Sequence, residues 1–352
     1  MKEDRFIVLP KATIRPNKIV FYNQFVLRAQ TGKINVSQFS NVEKKELTGM
    51  GLPIQIMPDS NSHNFELSKK ASSRIREKVS WLYELAKNKS IPAIGNSKSY
   101  TFKMNFVTLT LPALQAHATA EITSICLNQF LTECKAKFAL ANYVWRLEFQ
   151  KNGNAHYHIA TDTFIHYTDC KLIWNRCLRK LGYIQAYQKK FGNMTFEEYR
   201  RDFSDNGKVP FNVLRERYGR GCATNWDSPN TVDVRCVGNA KNIIFYISKY
   251  ITKKSEHSLN PIVATREPAT SNLRLWFCSK SLSALDKIEV FIEDIPDLVG
   301  KIFSGLKNVK NYVFDYCNLW FFNGKEQDFK VKADIWRLFR EYSYSRGYIP
   351  AG

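Results

Sequence analysis

Two of the six histidines in this chain, His156 and His158, stand two apart in residues 156–161 (HYHIAT). On an extended strand that spacing points both imidazoles to the same side. Glu148 lies eight residues before His156 in the alternating run 143–150 (YVWRLEFQ), and the segment between carries KNGN around Gly153, a hairpin-turn signal. A five-residue turn over 151–155 would set Glu148 opposite His158, on the same face of the hairpin. Two imidazoles and a carboxylate converging there would make a three-ligand site with open positions. Such a site suits Mg2+ or Mn2+, with a phosphate oxygen filling the vacancy. The plainer alternative is a surface pair of histidines facing a cross-strand glutamate.

A second group of reactive residues sits in 239–254 (NAKNIIFYISKYITKK). At about 100° per residue, Ile243, Ile244, Ile247 and Ile251 form one stripe of a helix, while Tyr246, Lys249, Tyr250 and Lys253 share a separate face. The phenols are then one turn apart. Two half-buried tyrosines at a helix edge are the bland reading. A phenol with its usual pKa near ~10 is a poor nucleophile at neutral pH. Lys249 and Lys253 would favour the phenolate, and a metal-bound phosphate would be the better electrophile. The product would be a phosphotyrosine and a released hydroxyl, with the bond energy kept for rejoining. Two tyrosines would let one hold an old end while the other cuts a new junction.

These residues need elements to position them. Residues 67–88 have helical spacing of Ile75, Val79, Leu82 and Leu85 amid basic residues. Beyond a linker at 91–99, strands are predicted at 106–111 (FVTLTL), 143–150, 156–161, 231–237 (TVDVRCV) and 272–278 (NLRLWFC). Helices are predicted at 116–140 and from an Asp169 cap to Leu181, with Gly182 ending the second. Residues 189–230 are polar, with Gly, Asn and Pro, and read as an insertion. The order β-α-β-β-α-β predicts an α+β, ferredoxin-like (split β-α-β) domain with an antiparallel sheet. Right-handed crossovers put both helices on one face. The other face, with Thr108, Thr110, Arg146, Glu148, His156 and His158, is expected to be open. The division is an N-terminal extension 1–99, a central domain 100–280 and a C-terminal extension 281–352. A strand is also read near 21–28.

With 52 Lys+Arg against 32 Asp+Glu, the formal charge is +20, and apolar residues make up 44%, which excludes global disorder. Charge on this scale favours a polyanionic partner. A membrane is disfavoured: there is no run of about 18 apolar residues, no signal peptide and no lipidation motif. The eight cysteines lack CxxC spacing. They read as reduced thiols of a cytoplasmic protein, and they exclude a zinc ribbon or finger.

FVTLTL, Glu148 with His156-Tyr157-His158, and Tyr246-x-x-x-Tyr250 resemble motifs 1, 2 and 3 of the HUH endonucleases. More narrowly, residues 65–280 resemble the rolling-circle replication initiators of small single-stranded DNA phages, the microvirus type with two tyrosines. The resemblance implies a site-specific nick in single-stranded origin DNA, a 5′-phosphotyrosyl enzyme and a 3′-OH for a host polymerase. By motif position His156 and His158 would be metal ligands, Tyr246 and Tyr250 nucleophiles, and Lys249 the lysine of the tyrosine motif. Glu148 would be the third ligand, with Gln150, facing the same way, as the alternative. Arg146, Lys253 and Lys254 are the expected DNA contacts. No GxxxxGK[ST] loop is present, so a separate host helicase would unwind. Two other classes compete. A two-tyrosine transposase of the same fold is disfavoured by the missing cysteine zinc module. A non-catalytic single-stranded nucleic-acid-binding protein is disfavoured because the polar strand faces lack aromatics. A metal hydrolase using the same ligands without a tyrosine is a further alternative.

Overall fold

A computed structural model of the chain describes residues 6–16, 18–27, 67–91, 100–237, 261–267, 273–305, 310–314, 317–321 and 329–351. The predicted tyrosine helix, 239–254, lies outside the described residues. The chain divides into two units, Met1–His63 with Leu285–Arg346, and Asn64–Ala284 with Gly347–Gly352. The first 99 residues are therefore shared between the units, and the basic helix falls in the second.

In the first unit Phe6–Arg15 and Lys18–Leu27 pair along their whole length. Ile288–Phe291 adds on one side, and Cys317–Phe321 with Lys310–Phe314 on the other, giving five strands.

The second unit begins with α1 (Lys69–Leu85), where the Ser68 hydroxyl accepts from the Ala71 N–H at 3.1 Å. Its Ile75, Val79, Leu82 and Leu85 are buried while Lys69, Lys70, Arg74 and Arg76 stay exposed, a core stripe beneath a solvated basic face. After a short ladder come β1 (Met104–Leu109), α2 (Thr119–Ile122), a π turn and α3 (Asn128–Phe138). The hairpin follows as β2 (Tyr143–Phe149) and β3 (Ala155–Thr161), then α4 (Tyr167–Arg179). His166, not Asp169, caps α4, accepting from the Thr168 N–H; Asp169 sits in the first turn, paired with Lys137.

Residues 183–223 are not an irregular excursion but α5 (Tyr183–Gly192), α6 (Phe196–Phe203) and α7 (Phe211–Ala223). Thr195 and Glu198 form a reciprocal capping box at α6. The unit continues with β4 (Val232–Val237), α8 (Pro261–Arg266), β5 (Trp276–Cys278) and α9 (Lys280–Ser283).

The sheet order is β4-β1-β3-β2-β5, with every neighbour antiparallel. The first four strands have the split β-α-β order, so the unit is α+β as expected. β3, carrying both histidines, is central. Odd-numbered residues (Val107, Leu109, Trp145, Leu147, Tyr157, Ile159) pack with Ile122, Phe130, Trp174 and Leu178 of the helices in one core. The opposite face is not open throughout. α1 packs on β2, Lys103 Nζ sits 4.7 Å over the Tyr83 ring, and Met104, Phe106, Val144 and Ala160 are buried.

The hairpin turn is tighter than the spacing suggested. Gln150 N–H bonds to Asn154 O at 2.9 Å and Gly153 N–H to Gln150 O at 2.8 Å, with Gly153 at φ 78°. A three-residue loop with a left-handed glycine closes the ladder earlier. Glu148 therefore pairs with His156, and Arg146 with His158. This shift of two residues keeps every side chain on its expected face. A Cβ at Gly153 would meet Ile262 Cγ2 at 3.0 Å in a backbone conformation that L residues avoid. Gly153→Ala should lower stability in urea unfolding of the full chain by about 1–2 kcal/mol, the left-handed penalty. An unchanged midpoint would remove the glycine as the cause of this register.

Candidate active site

Register brings Asp233, Thr108, His158 and Arg146 into one row across four strands, with His156 and Glu148 in the next pair toward the turn. Buried charges on such a face must pair, and these do. Arg146 Nη1 lies 3.2 Å from Glu148 Oε1, with the arginine side chain 3% exposed. His158 Nε2–H donates to Glu148 Oε2 at 2.9 Å, leaving its Nδ1 to accept from the Thr108 hydroxyl at 3.3 Å. The two imidazole centroids are 4.5 Å apart and nearly perpendicular, and Phe106 stacks on His158. Arg146, expected as a DNA contact, is thus buried against Glu148. Gln150 lies beyond the strand, at the base of the turn.

Beside the histidines opens a cavity of about 300 Å3, lined by Thr108, Thr110, His156, His158, Asn230, Val232, Asp233 and Arg235. Asp233 and Arg235 pair at 2.8 Å. Neither was singled out in the sequence, although the alternation in TVDVRCV does put both on the side of Thr108 and Phe106. Tyr246, Lys249, Tyr250, Lys253 and Lys254 lie outside the described residues.

Burial pushes the Glu148 carboxyl up, but the His158 hydrogen bond, Arg146 and the imidazoles outweigh it and hold the pKa below the usual carboxylate range. Burial, and then His158, push His156 down to about 4. A neutral imidazole and an ionised carboxylate are the forms that ligate a cation. His156 Nδ1 is buried without a hydrogen-bond partner. This donor set fits a divalent cation. As arranged, however, Glu148 and His158 engage each other, and among the described residues no three His, Cys, Asp or Glu side chains form a ready metal cage. Ligation would require Glu148 Oε2 to leave His158.

An α+β unit with a split β-α-β sheet and a histidine pair on its central strand defines a class of site. The comparison with protein families then adds a likeness: a model of the replication-associated protein ORF2 family matches residues 104–255, from β1 through β4 and across the Tyr246 and Tyr250 positions. The match spans less than half of the chain. It supports a rolling-circle replication-initiator role, and with it DNA binding and nuclease activity in general. No curated protein and no solved structure matches the chain. Among the described residues no helix is long and apolar enough to cross a membrane.

Between pH 6.5 and 4 the unfolded chain binds a proton that folded His156 refuses, so stability falls as pH falls through that window. At ~1.4 kcal/mol per unit the loss is roughly 3 kcal/mol. Glu148 acts further down: its stabilising share is present above the ordinary carboxylate pKa and fades as pH drops through its depressed value. In chelator-treated protein, His156→Gln should flatten the pH 6.5–4 limb of urea-unfolding stability. An undiminished slope in that variant would assign the limb to other groups.

Proposed function

We propose that the chain initiates rolling-circle replication by nicking single-stranded DNA through a tyrosine and later rejoining it, in the cytoplasm, alongside a host helicase and polymerase. One observation carries the reading. Glu148, His156 and His158 stand together at a cavity on the polar sheet face, within the residues that match the replication-associated family.

The nucleophile would be Tyr246 or Tyr250. Both ends of the segment that carries them are anchored on this unit. Val237 pairs with Met104 at the end of β4. On the other side, α8 is held at the tip of the histidine hairpin: Arg266 Nη2 donates to Gly153 O at 2.8 Å, and Glu267 accepts from the Thr119 N–H at 3.1 Å. Tyr246 lies nine residues after Val237, a covalent reach of at most about 30 Å.

In the nick, the phenol oxygen bonds to phosphorus as the P–O3′ bond breaks. The phenol proton ends on O3′, giving a 5′-phosphotyrosine and a free 3′-OH. No triphosphate is consumed, and attack by a 3′-OH on the phosphotyrosine reseals the strand. Glu148, His156 and His158 would hold Mg2+ or Mn2+. Bound there, the cation would neutralise charge on a phosphate oxygen. Arg146 keeps Glu148 ionised and oriented by holding its Oε1. Lys249 would favour the phenolate, while Lys253 and Lys254 would contact phosphates.

With labelled single-stranded origin candidates and Mn2+, a denaturing gel should show protein attached to a 5′ end. Tyr246→Phe or Tyr250→Phe should reduce the adduct, and the double variant should abolish it. His156→Ala with His158→Ala should lower the rate by about 10²–10³-fold, the several kcal/mol that a metal supplies. Adduct surviving in the double tyrosine variant would refute the nucleophile, and binding without any adduct would favour the non-catalytic reading.

A further inference from the structure

α5–α7 enclose aromatic side chains of their own (Phe191, Tyr199, Leu214 and Trp226) and leave a second cavity of about 660 Å3 against α4. Three cations line it, Lys171, Arg217 and Arg220, with the rings of Tyr187, Tyr199 and Trp226. Among the described residues no carboxylate does. We propose that this cavity holds one nucleotide of the single-stranded DNA flanking the cut, its phosphates on Lys171, Arg217 and Arg220 and its base against the aromatic wall. The proposal rests on the nicking reading, which supplies the strand.

Three features argue for it. The first is charge. Burial and the neighbouring Arg220 both depress the Lys171 pKa, so positive charges are crowded where an anion would relieve them. The second is construction. Asn225 and Trp226 both adopt left-handed backbone, at φ 49° and 52°, a conformation that non-glycine residues rarely accept outside functional places. A Cβ at Gly221 would come within 2.4 Å of the Trp226 ring, so the tight turn and the ring require each other. The third is continuity. Asn230 lines both this cavity and the histidine cavity, and Tyr167 donates to its Oδ1 at 2.9 Å. A strand with its scissile phosphate at the histidines would find its neighbouring nucleotide here. Aromatic faces combined with basic side chains are how sequence-tolerant single-strand sites are built.

The test is fluorescence anisotropy of the full chain with a labelled oligonucleotide in EDTA, over a range of NaCl. One nucleotide brings two phosphates. The triple variant Lys171→Ala, Arg217→Ala, Arg220→Ala should therefore flatten the slope of log Kd against log salt by about 1.4, at ~0.7 per phosphate. Tyr187→Ala should weaken binding by about 5- to 100-fold at every salt with the slope kept, the effect of losing one stacked base. A control triple on the same helices but off the cavity, Lys189→Ala, Lys190→Ala, Arg215→Ala, should leave the slope near wild type. Equal flattening in the control, or unchanged Kd and slope in both cavity variants, would overturn the proposal. Because the readout is binding without cleavage, a missing covalent adduct would sink the nicking reading and leave the cavity's role in binding intact. Wild-type protein that fails to bind the oligonucleotide would sink both.

Discussion

An arginine placed on a sheet face and shut off from water must find a carboxylate or unfold the strand that carries it. Arg146 is in that position, and Glu148, two residues along the same strand, is its partner. The carboxylate divides its oxygens, Oε1 toward Arg146 and Oε2 toward His158, whose other nitrogen meets Thr108. Three strands are thereby tied by one polar chain, and its links exist only in the register that the hairpin turn imposes. A cation arriving at the imidazoles would compete for one oxygen of Glu148 and leave the other with Arg146. The buried ion pair thus serves to keep a carboxylate ionised beside the histidines.

The two faces of this sheet solve opposite problems. The odd-numbered face is apolar and is covered by α2–α4, with Trp174 Nε1–H satisfied by Thr110 O at 2.8 Å. The even-numbered face carries the charges, and only part of it is covered. Where α1 packs, its side chains are Met104, Phe106, Val144 and Ala160; toward the turn and β4 they are Thr108, His156, His158 and Asp233, beside the cavity. Closing one half dries the network and shifts its pKa values, while the open half admits a substrate.

Much of this was legible because period-two alternation leaves little freedom. The strands YVWRLEF and AHYHIAT, the central place of the histidine strand and the common face of Glu148, His156 and His158 all follow from it. What was not legible had physical causes. KNGN announces a turn but not its length, so Glu148 was expected opposite His158 rather than His156. Pro10 interrupts the pattern of a strand over 6–15, yet the strand's second partner begins only at Lys11, so the missing N–H falls where the ladder is one-sided. The open platform was misjudged because the apolar stripe of α1 needed a surface to cover, and propensity cannot say which. α5–α7 looked like an excursion because their apolar residues are mostly aromatics scattered among Lys, Arg, Asn and Gly. Only the Thr195–Glu198 capping box marked a helix start.

The separation of cores has a consequence for how such a site can change. Tyr183 and Ile184, at the start of α5, belong to the core beneath the sheet, whereas Phe191, Tyr199, Leu214 and Trp226 form a cluster of their own. Substitutions on α6 and α7 can therefore alter the basic, aromatic wall without disturbing the strands that hold Glu148 and the histidines. Coupling between the two is confined to a short stretch. Asn175 donates to Pro229 O at 3.0 Å and accepts from the Thr231 hydroxyl, fixing the chain on either side of Asn230 just before β4 begins. A rigid link between a variable wall and a constant polar face lets contact with the strand change while the geometry at the reacting phosphate is kept.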